Sequence, residues 1–308
     1  MGVEGLRAAL PQRALEGEPL SKHTTFGIGG PADLFVAAHT LSELCTSVHL
    51  AWQHNVPYLI LGRGANVLVA DNGFRGLVIH NQCALVEISP GERGDTRLVK
   101  AESGAEISAV ARRAIGEGLA GLEWAVDVPG TVGGAVVGNA GAYGGYISDS
   151  LQGVAVFAPA EGERWWPSSE LGLGYRTSVF KQKDQATGFS PVILSATFEL
   201  RTEDVASIQE RATEYSRRRM ERQPRGLSAG SVFKRTDQYP AGFLIENAGL
   251  KGKRIGGAVV SPLHANFIIN LGTATAGDVR ELIDLIRETV HQKFDVMLEL
   301  EIELVGDW

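Results

Sequence analysis

The spacing of apolar residues changes repeatedly along the chain, and each change marks an element. A glycine turn, Gly27-Ile28-Gly29-Gly30, leads into the apolar run Leu34 to Ala38, which predicts a strand. Thr40 with Glu43 predicts a capping box, after which Leu41, Leu44, Val48 and Trp52 recur at helical spacing until Asn55 and Pro57. Tyr58 to Leu61, Val67 to Ala70 and Leu77 to Ile79 predict strands separated by a tight glycine loop and a turn. A strand opens near Arg97. Ser103 and Glu106 predict a second capping box, for a helix with the buried stripe Ile107, Val110, Ala111, Ala114 and Ile115 that stops at Gly116 or Gly118. Strands follow around Val154 to Phe157 and Val192 to Leu200, on either side of a polar stretch, Leu173 to Ser190. A charged helix from about Asp204 to Arg222, closed by Pro224, precedes a glycine and serine loop, Gly226 to Ser231. A helix capped by Thr275 and Asp278 and an alternating strand, Val296 to Val305, finish the chain. Helices and strands interleave without the regular spacing of a doubly wound sheet, so an α+β fold is expected. Joints near 80 to 95 and 200 to 205 divide the chain into 1–90, 91–202 and 203–308.

Composition narrows the class. A chain of 308 residues can support two domains or three small ones, and 44% hydrophobic with 21% charged residues is ordinary for a globular protein. No run approaches the roughly 18 apolar residues of a membrane span, and the N-terminus lacks a basic start followed by an apolar stretch, so a cytoplasmic protein is expected. Cys45 and Cys83 are too few for a disulfide framework and show no metal-ligand spacing; no metal is expected. A net charge of -7 argues against nucleic acid as a general partner. Glycine is the informative excess: its 38 residues cluster, marking tight turns or close approach to a ligand.

Gly27-Ile28-Gly29-Gly30-Pro31-Ala32 satisfies the dinucleotide pattern G-x-G-x-x-A, yet it precedes a strand instead of opening a helix, so the Rossmann reading is rejected. Two other segments can offer successive backbone amides to a pyrophosphate: Gly62-Arg63-Gly64-Ala65-Asn66 and Pro129 to Ala135. The first serves equally well as a simple tight turn. The second runs on to Gly145 with more glycines than an ordinary helix or strand carries. Among side chains, Arg176 by itself reads as a surface cation, Ser231 as a turn serine, and His264 as a structural histidine. Period two puts Glu299, Glu301 and Glu303 on one face and does not choose among them. The cluster Arg217, Arg218, Arg219 and Arg222 reads as a solvated helix face, although one of the four can meet a diphosphate.

The segments HTTFGIGGPADLFV, LGRGANVLV, VPGTVGGAVVGNAGAYGG, GYRTSVFK, SAGSVFK, AGFLIENAGLKGKRIGGAVVSPLHANFIIN and LELEIELVG occur in this order. Together they resemble the UDP-N-acetylenolpyruvoylglucosamine reductase family from about residue 20 to the C-terminus. The resemblance implies an FAD-binding region of the vanillyl-alcohol-oxidase (PCMH) type in two subdomains, 1–90 and 91–202, and a C-terminal α+β substrate-binding domain, 203–308. It implies FAD, NADPH as hydride donor, and a UDP-sugar enolpyruvyl ether as substrate. The expected FAD contacts are Gly62, Arg63, Gly64, Ala65 and Asn66 on one loop, with Pro129, Gly130, Thr131, Gly133, Gly134, Asn139, Gly141 and Ala142 on the other. Neither loop holds a histidine or cysteine, so the flavin is expected to be noncovalent. The matched catalytic positions are Arg176, whose planar fork suits the substrate carboxylate, Ser231 as proton donor, and Glu301 beside the enolic intermediate. Tyr175, Lys234, Arg235 and His264 are the expected substrate contacts. The short connection between Lys181 and Pro191 resembles the branch of the family without an added tyrosine-bearing loop. Asp127, Gly138 and Arg235 depart from the usual pattern. Two rivals remain: a flavin oxidase on the same scaffold, and a non-catalytic nucleotide-sugar binder.

Overall fold

In a computed structural model, residues 2–11, 13–181 and 191–308 are described. The connection 182–190, on which the shorter-branch reading rests, lies outside them. The chain folds into two units. The first is Met1–Ala14, Phe35–Gly62 and Leu77–Arg219; the second is Leu15–Leu34, Arg63–Gly76 and Met220–Trp308. No helix among the described residues is long and apolar enough to cross a membrane.

The first unit is built on an antiparallel sheet in the order Gly162–Pro167, Leu151–Ala158, Val192–Thr202, Thr96–Glu102, Val86–Pro90, with Leu119–Ala120 paired to the end of Val192–Thr202. Helix Ile107–Gly116 turns Ile107, Val110, Ala111 and Ala114 onto this sheet, where they meet Phe198, Leu200, Val154 and Trp124 in one buried cluster. The helix begins where expected but is not capped as expected. Its N-cap is Glu106, whose side chain makes no capping bond, and Ser103 is engaged elsewhere: its hydroxyl accepts from Asn81 Nδ2 at 2.7 Å and its carbonyl from Gly133 N at 2.8 Å. The expected box at Thr40 and Glu43 is present and starts helix Leu41–Gln53. Strand Tyr58–Leu61 pairs in parallel with Leu77 to His80. Val86–Pro90 and Gly162–Pro167, at the two edges of the sheet, are among the strands that had no forecast. The glycine-rich segment, expected to be neither helix nor strand, contains a short helix, Val132–Val137.

The second unit surrounds a core of Phe26, Leu68, Phe233, Leu244, Ile245, Val260, Leu282, Ile286, Leu298 and Ile302. Helix Ala276–Phe294 supplies the apolar stripe and opens with the expected Thr275–Asp278 box. Its first amides, Ala276 and Gly277, also donate to the Asp71 carboxylate at 2.8 and 2.9 Å, satisfying groups that no helical partner can reach. A three-stranded antiparallel sheet, Arg254–Ile255, Ala258–Val260 and Ile268–Asn270, packs on this helix. The final strand is shorter than its alternation predicts: Glu303–Val305 pairs in parallel with Val67–Val69, whereas 296 to 302 is irregular apart from one bridge between Leu300 and Phe233.

Candidate functional site

In the first unit the candidate residues converge on the segment 129 to 146. Thr131 caps the helix Val132–Val137 by accepting from Gly134 N at 3.4 Å. The amides of Val132 and Gly133 donate to the carbonyls of Ala105 and Ser103, each at 2.8 Å, and that of Ala135 to Thr131 O. The expected run of open amides is therefore not there: most of them hold the helix in place. What the segment does leave bare is a face. A Cβ at Gly133 would crowd Ser103 at 2.9 Å, but at exposed Gly134 it would meet nothing nearer than Thr131 Oγ1 at 3.6 Å, and at Gly138 nothing nearer than Gly134 O at 3.6 Å. An alanine at Gly134 would fit and would stabilise a helical position by up to about 1 kcal/mol. No contact inside the unit calls for glycine there, which fits a flat ligand lying on the backbone. The end of strand Tyr58–Leu61 reaches the same place, since a Cβ at Gly62 would lie 2.5 Å from Thr131 Oγ1.

After this helix, Gly141–Ala142 and Gly145–Tyr146 form a hairpin whose turn residues, Tyr143 and Gly144, both have positive φ, at 54° and 89°. Tyr143 stacks on Tyr215 with ring centres 5.1 Å apart. Arg176 lies in a second tight turn, closed by Gly174 N to Thr177 O at 3.2 Å and Thr177 N to Gly174 O at 3.3 Å. Its φ is 56°, its Nη2 donates to Gly141 O at 3.2 Å, and its guanidinium carbon stands 5.5 Å from the Tyr175 ring centre. The structure thus brings Tyr175, Arg176 and the 139 to 142 segment together.

In the second unit, Gly64 has φ 58° and packs so closely that a Cβ would stand 2.6 Å from the His23 carbonyl oxygen. Thr25 links this loop to the approach of Ser231, its amide donating to Gly64 O at 3.2 Å and its hydroxyl to Ser228 O at 2.8 Å. Asn66, expected to face a cofactor, gives its side-chain amide to Glu301 O at 3.0 Å, and its carbonyl accepts from Glu303 N at 2.9 Å. Ser231 and Glu301 are brought onto neighbouring backbone, because Glu301 N donates to Val232 O at 2.8 Å. A residue without an expected role fixes that arrangement. Buried Asn266 accepts from Phe233 N at 3.0 Å and donates to Phe233 O at 2.8 Å, while its carbonyl takes Val232 N at 2.9 Å. Its signal in the sequence is a carboxamide just before the apolar stretch of HANFIIN. Lys234 pairs with the exposed Glu299 at 3.1 Å, and Arg235 is exposed.

His264 packs edge-on to Phe267, and its Nδ1 accepts from Asn266 N at 3.2 Å. Burial pushes its pKa below 6.5. The unfolded chain therefore binds a proton that the folded one refuses just below pH 6.5, so stability falls as the solution is acidified through that value. His264→Gln is expected to flatten the Tm curve between about pH 7 and 5, since glutamine does not titrate. An unchanged slope in that variant would place the titrating group elsewhere.

The basic helix end sorts itself. Arg217 and Arg218 both bind Glu214, at 2.8 and 2.6 Å. Arg219 is the more buried, and it lies near Asp127, whose carboxyl is held below its usual range by hydrogen bonds from Ser216 Oγ at 2.5 Å and Arg112 at 2.9 Å. Asp127 thus holds Ser216 of helix Val205–Arg222 within the first unit.

The bare backbone face at Gly134 and Gly138 suits a flat ligand, and the family matches make the chain a flavoprotein of the FAD-binding class. Residues 32–166 match the family described as FAD binding domain, and residues 223–305 match UDP-N-acetylenolpyruvoylglucosamine reductase, C-terminal domain. The chain is 41% identical over 306 residues to a UDP-N-acetylenolpyruvoylglucosamine reductase from Alkaliphilus oremlandii, covering 99% of this chain and 97% of that one. A reductase of the same description from Chloroflexus aggregans is 39% identical over 97% of this chain and all of its own. The crystal structure of the enzyme from Thermus caldophilus is similar with a TM-score of 0.80 at 33% identity, covering 96% of this chain and 99% of that one. The chain belongs to the UDP-N-acetylenolpyruvoylglucosamine reductase family, with the expected FAD-binding region of the PCMH type and C-terminal domain.

Proposed function

We infer that this chain is an oxidoreductase that reduces UDP-N-acetylglucosamine enolpyruvate to UDP-N-acetylmuramate for peptidoglycan precursor synthesis, with NADPH as donor and FAD as carrier. The observation that carries this reading is the match along nearly the whole chain to reductases of that description. Bound FAD would supply hydride transfer, linking oxidation of NADPH to reduction of the enolpyruvyl group at its methylene carbon. The face at Gly134 and Gly138, the backbone of Gly62 to Asn66, and Pro129, Gly130, Thr131, Gly133, Gly141 and Ala142 are proposed to hold it.

The chain's own residues then handle charge and protons. Arg176 binds the substrate carboxylate with two parallel hydrogen bonds and stabilises the charge that grows there. Ser231 Oγ gives a proton to the carbon next to the carboxylate, and the Glu301 carboxyl hydrogen-bonds the enolic oxygen. Tyr175, Lys234, Arg235 and His264 contact the substrate. One of Arg219 and Arg222 is proposed for its diphosphate, because Arg217 and Arg218 already share the Glu214 carboxylate. In this reading 1–90 and 91–202 serve the flavin and 203–308 the substrate, the protein works in the cytoplasm, and it has no nucleic-acid partner.

The test is spectroscopic. Purified protein should be yellow and release FAD on denaturation. NADPH should bleach the flavin band without oxygen, and the enolpyruvyl substrate should restore it. Oxygen consumption with an alcohol and without NADPH would instead make the chain an oxidase, and protein with no flavin would make it a binding protein.

A further inference from the structure

We propose that Asn139 is a positioning residue for Arg176. By holding the Gly174 carbonyl, it fixes the left-handed turn from which the guanidinium extends. The proposal rests on the reading of Arg176 as the carboxylate-binding residue. Asn139 is only 4% exposed, and both ends of its carboxamide are engaged: Nδ2 donates to Gly174 O at 3.0 Å, and Oδ1 accepts from Ser148 N at 3.0 Å. Two of the four hydrogen bonds that its carboxamide can make are therefore spent inside the unit, on Gly174 and Ser148.

Its partners explain what it does. Arg176 sits at φ 56°, a conformation that arginine seldom adopts, and the turn around it is closed by two long backbone bonds of 3.2 and 3.3 Å. Three further bonds tie this turn and the residue after it to the end of helix Val132–Val137 and the segment beyond: Asn139 Nδ2 to Gly174 O at 3.0 Å, Arg176 Nη2 to Gly141 O at 3.2 Å, and Ser178 Oγ to Val137 O at 2.7 Å. Of these, Asn139 supplies the anchor at the first residue of the turn. Asn139 itself has φ 39°, in the left-handed region that asparagine tolerates, so its side chain leaves the segment at an angle other residues take at a cost. Without this bond the turn can relax, and the guanidinium loses the placement that a two-pronged carboxylate contact requires.

Two variants test the link in the holoenzyme. Asn139→Gly accepts the left-handed φ freely and deletes the side chain, whereas Asn139→Asp keeps the acceptor for Ser148 and loses the donor to Gly174. FAD content is read from the absorbance of released flavin, and rapid mixing resolves reduction by NADPH from reoxidation by the enolpyruvyl substrate. The expected result is normal FAD content, normal reduction, and reoxidation slowed by about 10- to 100-fold, the scale of an ångström's misplacement. Adding Asn139→Gly to Arg176→Ala should slow reoxidation no further, because the group being positioned is already gone. If Asp cannot be buried there and the protein fails to fold, the glycine variant decides alone. Loss of FAD with a normal substrate step, multiplication of the two effects in the double variant, or wild-type behaviour of Asn139→Gly would each overturn the proposal. Wild-type reoxidation in Arg176→Ala would be a separate outcome, removing Arg176 from the reaction and this proposal with it.

Discussion

Replacing Ser231 with alanine is expected to leave reduction of the bound flavin by NADPH near its normal rate and to slow reoxidation by the enolpyruvyl substrate by about 10² to 10⁴, the usual worth of a positioned proton donor. The two steps separate because only the second needs a proton on a substrate carbon. The backbone at this position does not depend on the hydroxyl: Val232 and Phe233 are held by Asn266, and Val232 O by Glu301 N. Alanine therefore removes a proton and little else. A serine hydroxyl is a weak acid, so it can act only against a strongly basic carbon at a fixed distance, and cysteine at this position should recover part of the rate. Rapid-mixing absorbance at the flavin band reads both steps. Should alanine slow the NADPH step and spare the other, Ser231 would be a cofactor contact and another group would have to supply the proton.

The elements that the sequence shows well are those whose signal is local. Thr40 with Glu43 and Thr275 with Asp278 are capping boxes in the structure because their partners lie three residues away. Ser103 carries the same pattern with Glu106 and makes no such box; Asn81 and Gly133, both distant in sequence, engage its oxygens. Strands Val86–Pro90 and Gly162–Pro167 escape notice because each pairs on one side only and shows mixed burial instead of an apolar run. Val296 to Val305 errs the other way: its alternation is real, with Leu298 and Ile302 buried, but only its last three residues find a continuous partner strand. The site divides similarly. The roles proposed for Arg176, Ser231 and Glu301 come only from the ordered motifs, since nothing in the sequence beside them distinguishes them from surface residues. Asn66, Asn139 and Asn266 act as backbone braces, and their partners at Glu301, Gly174 and Phe233 are separated from them by stretches of chain that no local pattern spans.

Glycine substitutions should separate what holds the fold from what holds the flavin. At Gly64 a valine is expected to damage the protein itself: φ is 58°, and its Cβ would be driven within 2.6 Å of the His23 carbonyl oxygen and 2.8 Å of Thr24 Cα. Such a variant should lose melting cooperativity with or without FAD, so loss of flavin there says nothing about contact. Gly134 offers the clean comparison. Its backbone is helical and exposed, and the nearest atom to an added Cβ is Thr131 Oγ1 at 3.6 Å, so the first added carbon meets no steric obstacle from a neighbouring side chain. The flavin is another matter. If it lies on this face, three added carbons must push it away, and overpacking of about 1 to 3 kcal/mol corresponds to FAD binding weakened on the order of 10- to 100-fold. Gly134→Val should therefore bind added FAD about 10- to 100-fold more weakly, with the circular dichroism and the FAD-free melting temperature of the parent protein. Gly134→Ala, with one carbon, should fall between the two in FAD affinity while gaining slightly in FAD-free stability. A valine variant that binds FAD as tightly as the parent would move the cofactor off this helix, leaving glycine at Gly134 without a physical reason.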